Sequence, residues 1–223
     1  MNRLIKSIWI VAITLVLFSC TPRTLNLETL DPNLYDQSWL TGKPCGAPCW
    51  YGLEPGISSL QDSNSTVEHL AFINDNSKTI TDSFGSTFFC KQPQDFYCVH
   101  MDFENDVLEA IYFVPNYQIT FEQAIEKLGK PDGILVQAMY PDAEGCKLQG
   151  VWEYKRLVLY YETGVISMFS INHFLADNLC GNMGKLPLPK GILVQRVAIL
   201  LPRDIASLIQ DYSPQPWKGF ADK

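Results

Sequence analysis

The chain has 223 residues, 17 basic and 24 acidic, and a mean hydropathy of −0.01. That length can bury one sizeable core or two small ones. The acidic balance argues against nucleic acid or an anionic surface as partner, since both need clustered Lys and Arg, and leaves a basic protein partner open.

The first ten residues carry Arg3 and Lys6 and no acid, and an apolar run follows from Ile8 to Phe18 that only Thr14 interrupts. A basic end followed by a short apolar segment predicts an export signal over residues 1–19, because a mature spanning helix needs about 20 apolar residues. Leu17-Phe18-Ser19-Cys20 then resembles the lipobox of bacterial lipoproteins, with an apolar residue three before the cysteine and a small one just before it. Phe18 is bulkier than the residue usual at its position. The resemblance implies acyl chains on Cys20, several of which together hold a protein firmly to a membrane. The rest of the chain is then expected outside the cytoplasm, lipid-anchored to the cell membrane. A short uncleaved anchor helix is the alternative. Thr21 after the cysteine resembles outer-membrane sorting in a two-membrane envelope. Without residues 1–19 the chain keeps 204 residues, 15 basic and 24 acidic, a net charge of −9.

Residues 20–44, rich in Thr, Pro, Asn and Asp, are expected to be a tether, with folding starting near Cys45. Beyond Cys20 there are six cysteines, Cys45, Cys49, Cys90, Cys98, Cys146 and Cys180. An even number in an oxidising location predicts three disulfides. Spacing favours Cys45–Cys49 and Cys90–Cys98 and, by elimination, Cys146–Cys180.

Two stretches then share one plan. The first, 45–115, opens on Trp50-Tyr51-Gly52-Leu53-Glu54-Pro55-Gly56-Ile57, rich in turn residues. Ser65 and Glu68 have capping-box spacing, with Val67, Leu70, Ala71 and Asn74 on one helical face. Strands are predicted at 86–90, 96–103 and 107–113, with a hairpin turn at Glu104-Asn105-Asp106. In the middle strand Tyr97, Val99, Met101 and Phe103 share one face, and Cys98, His100 and Asp102 the other.

The second, 116–180, has Thr120 as N-cap and Gln123 as its box partner. Phe121, Ala124, Ile125 and Leu128 form an apolar stripe expected to pack on a meander at 148–171, with Glu122 and Glu126 facing out. Gly129 caps the C-terminus, and Pro131 prevents continuation. Strands are predicted at 133–138, 148–154, 156–162 and 165–171, with turns at Lys155-Arg156 and Glu162-Thr163-Gly164. The fold class is therefore α+β: two tandem units, each a helix plus antiparallel β-meander, forming a single curved sheet, because one unit alone would expose its sheet. The region 181–223 is expected to pack on the second unit. It holds the stiff Leu186-Pro187-Leu188-Pro189, a strand from Leu193 to Leu200, and a short helix opened by Pro202 with Ile205, Leu208, Ile209 and Tyr212 inward. Pro216-Trp217-Lys218-Gly219-Phe220 is placed over a sheet edge.

Two resemblances follow from these motifs. Cys45-Gly46-Ala47-Pro48-Cys49-Trp50-Tyr51-Gly52-Leu53-Glu54-Pro55-Gly56, with the distant Trp217-Lys218-Gly219-Phe220, resembles a group of uncharacterised lipoproteins from filamentous Chloroflexi-type bacteria, which brings no function with it. The run from Ile119 through Leu128-Gly129-Lys130-Pro131-Asp132 resembles the helix and Leu-Gly-x-Pro corner of small lipoproteins related to the β-barrel assembly accessory protein SmpA. The tandem arrangement resembles the β-lactamase inhibitory protein family, which forms a concave sheet surface from two such units. Members of these families are scaffolds and inhibitors, so the resemblance implies binding of a macromolecule rather than catalysis.

Cys45-x-x-x-Cys49 fits a structural disulfide best, with a metal site or thiol exchange as alternatives. His69 lies on a helix beside Leu70, and His173 follows a strand. His100 shares a strand face with Asp102, where a carboxylate two residues on can orient the imidazole. No zincin, nucleophile-elbow or phosphate-loop motif occurs, and no cofactor is implied. Asn64-Ser65-Thr66 matches a glycosylation acceptor, which a bacterial lipoprotein signal makes irrelevant. Phe, Tyr and Trp number 27. Trp152, Tyr154, Tyr160, Tyr161, Phe88, Tyr97, Tyr112 and Tyr117 are either core or, if exposed on one sheet face, a surface for protein or glycan. The expected function is a non-catalytic macromolecular interaction module of the cell envelope, bound to membrane through Cys20, with an envelope protein or glycan as partner. An envelope hydrolase acting on a wall polymer or glycan, and a small-ligand or metal carrier, are the alternatives. His100 with Asp102 inside a pocket would strengthen the hydrolase.

Overall fold

The computed structural model describes residues 29–74, 80–81, 85–92, 97–138, 155–161, 165–171, 188, 190–212 and 214–220. Cys20, Cys146, Cys180, His173, Trp152, Tyr154, the predicted strand 148–154 and the turn 162–164 lie outside these residues. The described chain combines α-helices with antiparallel strands. The helices are α1 (Ser38–Thr41), α2 (Leu60–Glu68), α3 (Phe121–Leu128) and α4 (Pro202–Tyr212). The strands are β1 (Ile80–Thr81), β2 (Gly85–Phe89), β3 (Tyr97–Glu104), β4 (Val107–Phe113), β5 (Gly133–Ala138), β6 (Lys155–Tyr161), β7 (Val165–Ile171) and β8 (Arg196–Leu200). They are ordered β1-β2-β3-β4-β8-β7-β6-β5.

Local chemistry explains several elements. Asn105 and Asp106 have φ of 51° and 65°, the left-handed pair that a two-residue hairpin between β3 and β4 requires and that Asn and Asp tolerate best after glycine. The Thr120 hydroxyl accepts the Gln123 amide, and the Gln123 side chain accepts the Thr120 amide at 3.0 Å, so both halves of the box are closed. The Tyr161 hydroxyl donates to the Gly129 carbonyl at 3.0 Å and fastens the end of α3 to β6. Between β5 and β6, Gly133 pairs with Tyr160, and a Cβ on the glycine would lie 2.5 Å from the tyrosine ring. The tyrosine therefore occupies the volume that a side chain at 133 would need.

Alternation along the strands separates two faces. One carries Val99, Met101, Ile111, Phe113, Leu159, Val197 and Ile199, packed with Trp39 and Leu40 of α1, Val67 of α2, and Phe121 and Ala124 of α3. Trp50 sits at its centre, 1 % exposed, stacked on Phe113 at 6.0 Å. The opposite face carries Ala110, Val158, Tyr160, Ala198 and Leu200 and is covered by Ile205 of α4. Glu109 has no Cα partner on β3, because Asp102 pairs with Ala110 and Phe103 with Leu108. Such a bulge re-aims a side chain, and here Glu109 meets Arg203 of α4.

Five sequence expectations are corrected. Folding does not start at Cys45: Asp36, Ser38, Trp39 and Leu40 are already buried. The first helix is Leu60–Glu68, capped by Ser59 accepting the Asp62 amide, so the proposed box at Ser65 and Glu68 lies at its end rather than its start. Lys155 and Arg156 are not a turn; they pair with Ala138 and Gln137 in the β5–β6 ladder. The C-terminal strand does not pack on the second unit alone, since β8 pairs with β4 of the first as well as with β7. Glu122 does not simply face outward. Its carboxylate accepts the Gly191 amide at 2.7 Å, beside the pairing of Phe121 with Ile192. The tail does return to an edge: Gln215 and Ile134 exchange backbone hydrogen bonds at 2.8 and 2.9 Å, and Trp217 and Phe220 pack on the main core.

Candidate functional site

Among the described residues, the sheet face opposite the main core is covered at one end by α4 and left open at the other. The open end is a cavity of about 480 Å³ bounded by β2, β3, β4 and the start of β8. Cross-strand register assembles it. Thr87 on β2 lies opposite His100 on β3, His100 lies opposite Tyr112 on β4, and Tyr112 lies opposite Ala198, two residues beyond Arg196 on β8. Cys98 and Val114 complete the lining, with Tyr97 at the rim. A volume of a few hundred cubic ångströms with a few convergent polar groups is what a small-ligand site usually offers.

His100 is held from both sides. Its Nε2 is 2.9 Å from Asp102 Oδ1, and its Nδ1 is 2.8 Å from Thr87 Oγ1. A carboxylate only accepts, so the Nε2 proton points at Asp102; in the neutral ring Nδ1 then accepts from the threonine hydroxyl. Tyr112 lies beside His100, ring centroids 6.3 Å apart. Burial first, and then the charge of Asp102, push its phenol up to about 12, with Arg196 pulling the other way. Arg196 forms no ion pair with a described residue. The Tyr97 side chain is 45 % exposed.

The other predicted residues are placed as follows. Cys45–Cys49 and Cys90–Cys98 are disulfides. The first closes a half-buried loop; the second is buried against the cavity through Cys98. Among the described residues no group of three His, Cys, Asp or Glu is arranged to hold a metal ion. His69 is exposed, its Nδ1 against the Ser65 carbonyl of its own helix. Of the aromatics singled out, Phe88, Tyr160 and Tyr161 are buried, whereas Tyr97 and Tyr112 border the cavity.

Sequence reasoning missed Asp36. Its carboxylate accepts the Ser38 amide at 2.9 Å, the Trp50 indole N–H at 3.1 Å and the Tyr51 hydroxyl at 3.2 Å, while its carbonyl accepts the Tyr117 hydroxyl at 2.8 Å. Burial drives the carboxyl above its ordinary range, and the hydrogen bonds from Ser38, Trp50 and Tyr51 pull it back only in part. The cluster lies on the opposite side of the sheet from the cavity and ties the segment before Cys45 to the core. Asp followed two residues later by Ser, within Leu34-Tyr35-Asp36-Gln37-Ser38-Trp39-Leu40, was the available signal: an Asx-turn carboxylate inside an apolar run.

No family model matches the chain, and no curated protein or solved structure is significantly similar to it.

Proposed function

We propose that this protein is a cell-envelope lipoprotein, anchored through Cys20 outside the cytoplasm, that serves as a non-catalytic interaction module. Its partner is an envelope protein or glycan held on the open sheet face. The two helix-and-meander halves are read as two copies of one unit, sharing a curved sheet with β8 between them. The observation that carries the reading is the contrast between the two faces. One is sealed by three helices, while the other leaves a cavity of about 480 Å³ bordered by an exposed Tyr97 and an Arg196 unpaired among described residues. Exposed aromatics with arginine are the usual anchors of recognition surfaces. The net charge of −7, or −9 without residues 1–19, disfavours nucleic acid. Anchoring is tested by labelling with a fatty-acid analogue, which should mark the wild type and not Cys20→Ser; label surviving the substitution ends the lipoprotein reading.

A second reading rests on one observation, the Thr87–His100–Asp102 hydrogen-bond chain inside a cavity, which resembles the nucleophile–base–orienter logic of hydrolases. Activated esters and aryl glycosides are suitable substrates for it. Turnover that disappears in His100→Gln would favour it over binding alone.

A further inference from the structure

We infer that the cavity takes an acidic sugar residue, its carboxylate on Arg196, its ring against Tyr97 and its hydroxyls on Thr87 and Asp102. The inference deepens the proposed binding role and rests on it. Arg196 is the one Lys or Arg among the described residues that line the cavity. A guanidinium there offers a planar, two-pronged donor set that matches a carboxylate. The opposite side is rich in acceptors. Asp102 faces His100 and the Tyr112 hydroxyl and, as a carboxylate, keeps further lone pairs, and with a neutral His100 ring the Thr87 hydroxyl donates to Nδ1 while its oxygen remains an acceptor. Acceptors of this kind take the O–H donors of a polyol, and the partly exposed Tyr97 ring supplies a flat apolar surface for the C–H face of a sugar.

A peptide fits less well. Peptide-binding sites commonly use an unpaired strand edge or free backbone amides to catch a main chain or its terminal carboxylate. This cavity lies on the face of β3 and β4, whose backbone groups are spent in ladders on both sides.

The test is calorimetric titration of the detergent-solubilised full chain with three probes: a glucuronate-terminated disaccharide, its glucose-terminated counterpart, and a short peptide with a free C-terminal carboxylate. The acidic disaccharide should bind at least about tenfold more tightly than the neutral one, the scale of one charge-assisted pair. Arg196→Gln should erase that difference. Tyr97→Ala, at a half-exposed rim position, should weaken both saccharides by a similar factor. Equal affinity for the two saccharides, an unchanged preference in Arg196→Gln, or tighter binding of the peptide overturns the inference. If no saccharide binds while a cross-linker at position 97 still captures a partner in cells, the binding role stands and the sugar assignment falls.

Discussion

Replacing Asp36 by alanine removes the acceptor for the Ser38 amide, the Trp50 indole N–H and the Tyr51 hydroxyl. Ser38 and Trp50 are 5 % and 1 % exposed, so their donors have no route to water, whereas Tyr51 is half-buried and its hydroxyl can turn outward. Each stranded buried donor costs about 1–3 kcal/mol. Against that, the substitution relieves the burial of a carboxyl whose charged form is disfavoured, so the net loss is placed at about 2–4 kcal/mol. Asp36→Asn keeps one side-chain acceptor and should lose about half as much. A pH signature accompanies this. The folded-state carboxyl titrates above the unfolded one, so the folded chain keeps a proton that the unfolded chain has shed. Its contribution is fully present below the unfolded carboxyl range, about pH 4, and is lost as pH rises through the raised folded value. Asp36→Asn should remove that slope. Urea unfolding of the three proteins between pH 3.5 and 8 measures both effects. A cost below about 0.5 kcal/mol for Asp36→Ala, typical of an open surface position, would show that residues before Cys45 are not part of the cooperative fold.

Further predictions concern α3, the edge of the sheet and the disulfides. Phe121→Ala, at a fully buried position, should cost about 3–5 kcal/mol by denaturant unfolding, and Leu128→Ala, only partly buried, less than that. Glu122→Ala should cost about 1 kcal/mol, comparable to loss of the Thr120 cap, because it removes a charge-assisted hydrogen bond to the exposed Gly191 amide; a neutral result would return Glu122 to the outer face. Gly133→Ala should destabilise by about 1–3 kcal/mol, since the new methyl meets the Tyr160 ring, and Tyr160→Ala in the same background should recover part of the α-carbon clash in a double-mutant cycle. Non-reducing peptide mapping should recover Cys45–Cys49 and Cys90–Cys98, with the half-buried first pair reduced by mild thiol before the buried second pair; simultaneous reduction would contradict the burial difference.

Elements set by short-range chemistry were legible in the sequence. The Thr120 box, the Gly129 stop and the positive-φ pair at Asn105-Asp106 each depend on residues within one turn. The first helix was misplaced because two Ser-x-x-acid pairs, Ser59 with Asp62 and Ser65 with Glu68, compete in a segment whose only buried residues are Ser63 and Val67. With so little apolar periodicity, nothing local ranks the two caps. Lys155 and Arg156 suggested a turn, yet strands accept charged residues where the ladder is satisfied. The i, i+2 relation of His100 and Asp102 was readable from strand alternation alone. Their neighbours in the cavity were not, because Thr87 and Arg196 reach it through the registers of β2 with β3 and β8 with β4, pairings between distant segments that leave no mark on local sequence. Asp36 escaped for a related reason: the donors that justify burying it at Trp50, Tyr51 and Tyr117 come from elsewhere in the chain.

Photo-cross-linking in intact cells tests the central claim most directly. A benzophenone side chain at position 97, on the rim of the open face, is compared with the same group at position 126 on the exposed side of α3. A discrete adduct formed from position 97, weakened by Arg196→Gln and absent from position 126, is the expected result. Adducts of equal yield from both positions, or from position 126 alone, would contradict the assignment of the open sheet face as the surface on which this protein works.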